Sequence, residues 1–156
     1  MVLIDTDKER LSYSKGVGYA SAILSFESSR LEDIEEDILA DLMVISNTLL
    51  EFEPDDEFFR CVVRHMSKGA TLLVFLPDIL ADVMDNYVAG NRLALSNFRS
   101  GVHSITKRDK FTLSETNFYA HRLIILAQSF TKFGLSLKNV RISQTSPEYF
   151  ELEFVK

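Results

Sequence analysis

The sequence predicts an α+β fold: a helix-rich single domain over residues 1–156 with a small antiparallel sheet, ending helix–strand–strand. Three observations carry this expectation. Leu31, Ile34, Ile38, Leu42, Ile45 and Leu49 recur at spacings of 3, 4, 4, 3 and 4, the stripe of an amphipathic helix. Glu148–Val155 alternates, with Phe150, Leu152 and Phe154 on one side and Glu151 and Glu153 on the other, the period of a half-buried strand. The length of 156 residues, with 46% apolar side chains, suits one core and not two; a chain of this size buries about two-thirds of its unfolded surface.

Taken in order, residues from Lys8 to Phe26 read as a helix offering Tyr13, Val17, Tyr19, Ala20, Ile23 and Leu24 to the core, with Gly16 and Gly18 weakening its first half. The Leu31–Leu49 stripe forms the next helix. Its first turns hold Glu32, Asp33, Glu35, Glu36 and Asp37, where the helix dipole favours negative charge. Pro54 ends that helix, and a third carries Phe58, Phe59, Val62, Val63 and Met66, pauses near Gly69 and runs on to Phe75. Pro77 opens a further helix that Gly90 closes. Val102–Thr106 and Lys110–Leu113 pair as a hairpin around Lys107-Arg108-Asp109. Ser114 caps the last helix and Gly134 stops it. Two strands follow, Leu135–Ser143 and Glu148–Val155, turning at Thr145-Ser146-Pro147, with Arg141 or Lys138 opposing the outward glutamates across the pair.

Charge is unevenly spread. Residues 1–57 carry a net of −11, residues 58–147 a net of +7, and the last nine −2, giving −6 for the chain. An acidic whole argues against nonspecific nucleic-acid binding, which rests on neutralising phosphates with a basic surface. Cys61 is alone, so no intrachain disulfide and no CxxC metal site can form. Met1-Val2-Leu3-Ile4 followed by acids is not a signal peptide, and no run reaches the ~20 apolar residues of a membrane helix. The expected location is the cytosol.

The search for chemistry finds little. Cys61 and His65, four apart, are the one nucleophile–base pair on a shared helix face, but Phe58, Phe59, Val62 and Val63 surround the thiol. His65, His103 and His121 are scattered without ligand spacing. Gly16-Val17-Gly18 follows no predicted strand and lacks a third glycine. Arg92, Phe98, Arg99, His103, Lys107, Arg108, Lys110 and Phe111 interleave bases and aromatics without any nucleic-acid-binding signature. The residues therefore point to a non-enzymatic protein with no cofactor and no metal.

Two blocks carry a family resemblance: Phe58-Phe59-Arg60-Cys61-Val62-Val63-Arg64-His65-Met66-Ser67-Lys68-Gly69-Ala70-Thr71-Leu72-Leu73 with Pro77, and Asn117–Phe130 followed by Leu135-Ser136-Leu137. Both resemble the IcmW adaptors of Dot/Icm type IVB secretion systems, small acidic proteins that pair with the IcmS partner and present effectors to a coupling ATPase. The resemblance implies an adaptor or chaperone working in a hetero-oligomer. The expected contact residues are Glu32, Glu35, Glu36, Asp37, Phe58, Phe59, Arg60 and Met66, since the Leu31–Leu49 stripe and the Phe58/Phe59 region look richer than one small core needs. Two alternatives stand beside it: an immunity or antitoxin-type inhibitor masking a basic partner with the Glu32–Asp41 face, and a phage or plasmid regulator binding nucleic acid through Arg92–Lys110.

Overall fold

A computed structural model describes residues 2–4, 25–27, 39–46, 49, 52–77, 88, 102–108, 115–142 and 149–156. The chain divides into two units, Met1–Leu39 and Ala40–Lys156. In the first, β1 (Val2–Ile4) and β2 (Ser25–Glu27) pair in parallel, Leu3 opposite Phe26. The predicted helix from Lys8 to Phe26 lies largely outside the described residues, and its last two positions belong to β2.

The second unit is built on β3 (Ala40–Ser46), α1 (Asp56–Arg64) and β4 (Met66–Pro77). β3 and β4 run parallel, as strands joined through a helix do. α1 starts where the sequence predicts. The Asp55 side chain accepts from the Phe58 backbone N–H at 2.9 Å, and Asp56 and Glu57 occupy the first turn. It ends at Arg64 and does not continue to Phe75. Leu72, Val74 and Leu76 are buried along β4, with the residues between them half-buried, so the apolar run taken for helix is a strand covered on much of both faces. Gly69, with φ at +81°, sits where β4 opens an irregular register against β3, between the Ala40–Met66 and Leu42–Thr71 pairs.

Downstream come β5 (Val102–Arg108), β6 (Glu115–His121), α2 (Leu123–Lys132), β7 (Ser136–Ile142) and β8 (Tyr149–Val155). β5 and β6 form an antiparallel pair of their own, Ile105 opposite Phe118. The hairpin is therefore present, but its second strand is Glu115–His121, which the sequence assigns to the start of a helix. β8 lies antiparallel between β4 and β7, giving a four-stranded mixed sheet in the order β3-β4-β8-β7. Among the described residues there are two helices, so the fold is α+β with a mixed sheet and not helix-rich. The helix–strand–strand ending is as the sequence has it.

The Leu31–Leu49 stripe is corrected most sharply. Ala40–Ser46 is the strand β3, whose Ile45 is buried and whose Leu42 and Val44 are exposed. Glu32, Glu35, Glu36 and Asp37 lie outside the described residues, as do the other residues of the stripe before Leu39.

The core lies on the face of the sheet that carries Leu72, Val74, Leu152 and Phe154, covered by the two helices. Phe130 of α2 meets Phe59 of α1 edge-on at 4.9 Å between ring centroids and Phe154 of β8 at 5.0 Å. Such contacts add to the area burial of each ring. α2 closes with a left-handed stop. Gly134 has φ of +100°, its N–H bonds the Thr131 carbonyl, and the Leu135 N–H bonds the Phe130 carbonyl, the paired pattern of a Schellman cap. A Cβ at Gly134 meets nothing within 4 Å, so Gly134→Ala tests backbone conformation alone. The expected loss is about 1–2 kcal/mol in urea unfolding, from the left-handed region that L-residues disfavour.

Candidate functional site

β3 and β4 run the same way, and β8, antiparallel to β4, returns β7 to that direction too. The carboxyl ends of three parallel strands thus fall on one edge of the sheet: Ser46 of β3, Pro77 of β4 and Ile142 of β7. β8 starts there, with Tyr149 opposite Pro77. In open sheets of this kind ligands bind beyond the carboxyl ends of the strands.

The opposite edge is tied down. The Ala40 N–H bonds the His65 carbonyl at 2.8 Å, joining the start of β3 to the end of α1. The Lys156 ammonium donates to the carbonyls of Val63 and Met66 at 2.8 and 2.6 Å, where the last turn of α1 presents acceptors. Lys156 also exchanges backbone bonds with Gly69 and Ala70.

At the carboxyl edge the chain leaves β3 at Ser46, buries the Leu49 side chain completely and passes half-buried Phe52 and exposed Glu53 before α1 begins. Phe52 holds this segment to α1 by an edge-on contact with Phe58, 5.2 Å between centroids. The end of β6 closes on the same segment. His121, buried, places Nε2 2.5 Å from the Leu49 carbonyl oxygen. A carbonyl only accepts, so Nε2 carries the proton. Burial lowers the His121 pKa below the ordinary 6.5, while the hydrogen bond to Leu49, the Glu53 carboxylate and a backbone bond to Phe52 act in the opposite direction. The net effect keeps the imidazole neutral.

Phe58, Phe59 and Met66, expected at a contact surface, are core residues at 5%, 4% and 1% exposure. Arg60 is exposed and pairs with Glu57 at 3.3 Å and Asp56 at 3.7 Å, its guanidinium 5.4 Å from the Phe133 ring. Phe58 reaches the carboxyl edge through its ring contact with Phe52, and Met66 opens β4 at the opposite edge. Cys61 and His65 are both buried; the Cys61 sulfur stands 3.6 Å from a Glu57 carboxylate oxygen and 3.4 Å from the Arg64 guanidinium. Cys61 sits on α1 and His65 at its end, where the His65 carbonyl accepts from the Ala40 N–H at the start of β3. The Arg141–Glu151 pair that the sequence anticipates does form, the Arg141 Nε donating to buried Glu151 at 3.0 Å, and that hydrogen bond raises the Arg141 pKa. The residues that sequence reasoning missed are Ser46, Glu53 and His121. His121 was weighed as a metal ligand, and nothing local in the sequence ties it to Leu49, 72 residues earlier.

No family model matches the chain. No curated protein matches it either. Solved structures do. One from Listeria monocytogenes, assigned as an S-adenosylmethionine-dependent methyltransferase, has a TM-score of 0.70 at 16% identity, covering 98% of this chain and 78% of its own. An S-adenosylmethionine-dependent methyltransferase from Methanosarcina mazei gives 0.65 at 16% identity, with 98% and 80% covered. The N-methyltransferase NodS from Bradyrhizobium japonicum WM9, in complex with S-adenosyl-L-homocysteine, gives 0.63 at 12%, with 99% and 65% covered. The chain therefore has the fold seen in these methyltransferases.

That finding overturns the adaptor reading. The IcmW resemblance, and with it the non-enzymatic, hetero-oligomeric secretion adaptor, rested on the apolar pattern of α1 and of the β6–α2 segment. A helix packed on a sheet produces the same pattern in any α/β layer. The immunity-protein and nucleic-acid-regulator alternatives fall with it, since the matched structures named above are methyltransferases. Among the described residues, no helix is long and apolar enough to cross a membrane.

Proposed function

We propose that the chain is a methyltransferase that uses S-adenosylmethionine, with residues 1–156 acting as one domain in the cytosol. The observation that carries this is the sheet: parallel β3, β4 and β7 with β8 inserted antiparallel between the last two, in a fold matched along nearly its whole length. The cofactor, when bound, supplies a methyl group on a sulfonium, which passes to a nucleophile of the substrate and leaves S-adenosylhomocysteine.

The carboxyl edge fits such a ligand in its chemistry. Ser46 and Glu53 are exposed there and Phe52 is half-buried. They supply a hydroxyl, a carboxylate and an aromatic face for a molecule that combines hydroxyls, cationic groups and a flat base. In this reading Glu53 attracts the cationic end, Ser46 bonds a polar group, and Phe52, steadied by Phe58, lines an apolar wall.

Isothermal titration with S-adenosylhomocysteine tests the proposal, backed by methyl transfer from labelled S-adenosylmethionine to cell extract. Binding is expected, with a rise in thermal midpoint; ligand at 100 times its Kd stabilises a protein by about 2.7 kcal/mol. Glu53→Ala is expected to weaken binding about tenfold, near the 1.4 kcal/mol that one charged contact supplies. A flat titration together with an unmoved midpoint at millimolar ligand would falsify the reading.

A further inference from the structure

We propose that His121 is a positioning residue of the carboxyl edge: by donating its Nε2–H to the Leu49 carbonyl it fastens the segment that leaves β3 to the end of β6, and ligand binds to this fastened form. The proposal rests on the methyltransferase reading above for the identity of the ligand, but its geometry is independent of it.

The contact joins two elements that no ladder connects. β6 pairs only with β5 among the described strands, and β3 only with β4. The His121–Leu49 hydrogen bond crosses between these sheets, 72 residues apart in sequence and buried. Leu49 has a fully buried side chain and lies beyond the end of β3 at Ser46. Backbone carbonyls in such a place are costly to leave unmatched, about 1–3 kcal/mol, and an apolar side chain at position 121 cannot supply the donor. An imidazole is an expensive way to fill space. Its value here lies in the proton on Nε2.

The pinned segment is the one that carries Phe52 and Glu53 at the edge. Fixing the Leu49 carbonyl fixes where those two side chains begin, which is how a supporting residue acts on a site without touching the ligand. Among the described residues, Glu53 is the charged group that faces His121, alongside backbone groups of Leu49 and Phe52. A second proton places a cation in a buried site, so acidification works against the pinned form. Glu53 offsets part of that penalty.

The test pairs two substitutions with two readouts. His121→Gln keeps an N–H donor that does not titrate, and His121→Phe keeps the bulk and removes the donor. Binding of S-adenosylhomocysteine is measured from about pH 8 down to pH 5. Wild type is expected to lose affinity as the pH falls, H121Q to bind with little pH dependence, and H121F to bind about tenfold more weakly throughout, with KM for S-adenosylmethionine rising more than kcat falls. Independently of any ligand, hydrogen exchange at residues 49–53 is expected to quicken about tenfold in H121F while β4 and β8 stay protected. Binding by H121F as tight as wild type, or an H121Q profile that follows the wild-type slope, overturns the proposal. Wild-type protein that never binds S-adenosylhomocysteine overturns the methyltransferase reading and the ligand half of this one, and unchanged exchange in H121F overturns the fastening itself.

Discussion

Phe130→Ala is expected to lower unfolding free energy by about 3–5 kcal/mol, the range for emptying a buried aromatic site. Phe130 is 0% exposed and stands between Phe59 and Phe154, so it joins α1, α2 and β8 at one point. Its own helix and both neighbours are anchored by other contacts: α2 by its Gly134 stop, α1 by its Asp55 cap, β8 by ladders on both sides. They cannot close over the void, and the cavity adds to the lost transfer energy. Against a typical total of about 5–15 kcal/mol, the loss is a large fraction of the stability. Phe133 is the internal comparison. It stacks on Phe59 at 5.8 Å, but its outer side meets Arg60 and Lys132 and it is half-buried, so Phe133→Ala should cost much less. A double-mutant cycle between Phe59 and Phe130 should return a coupling of about 0.5–1.5 kcal/mol. Urea unfolding of the four proteins decides it. A Phe130→Ala loss below about 1 kcal/mol would mean that the three elements do not meet as described.

Why some elements were legible in the sequence and others not follows from how each is specified. α1 is marked locally: Pro54, a capping Asp55, two acids in the first turn and apolar residues at helical spacing all agree. β8 alternates, and Arg141 of β7 opposes Glu151 across the ladder, so period and pairing give the same answer. Gly134 is a local signal as well. β3 and β4 are specified by burial instead. Leu42, Ile45 and Leu49 fit a 3.6-residue period as easily as part of a strand, and Leu72–Leu76 is a short apolar run whose period carries no information once both faces are covered. β6 lost to its neighbour: Ser114 and Glu115 look like a helix start, and the true start, after Arg122, has no side-chain cap. The edge that binds ligand in our reading was the least legible part. It is defined by where strands end, and its residues come from three separate stretches of chain, so a search for local motifs returns nothing and favours a non-enzyme.

His121 also makes the fold sensitive to acid, and the sign can be worked out. Its pKa in the folded protein lies below the ordinary value of 6.5 that the unfolded chain takes, with burial as the leading cause. Below about pH 6.5 the unfolded state therefore binds a proton that the folded state does not, and stability rises with pH wherever that holds. The contribution is complete above the unfolded value. It is lost as the pH falls from there toward the depressed folded value, at up to about 1.4 kcal/mol per pH unit, and then levels off. Glu53 narrows the window, because its carboxylate favours the imidazolium that burial opposes. Replacing Glu53 by Gln is accordingly expected to widen the window and steepen the loss near its lower end. Replacing His121 by Gln removes the term, because an amide supplies the donor to Leu49 without titrating. Urea midpoints measured at half-unit steps from about pH 7.5 to pH 5 should show wild type falling relative to H121Q only below the unfolded pKa. Parallel curves for the two proteins would place the acid sensitivity elsewhere. They would also mean that His121 is solvated in the folded state, and the link between the end of β6 and the edge of β3 would lose its physical basis.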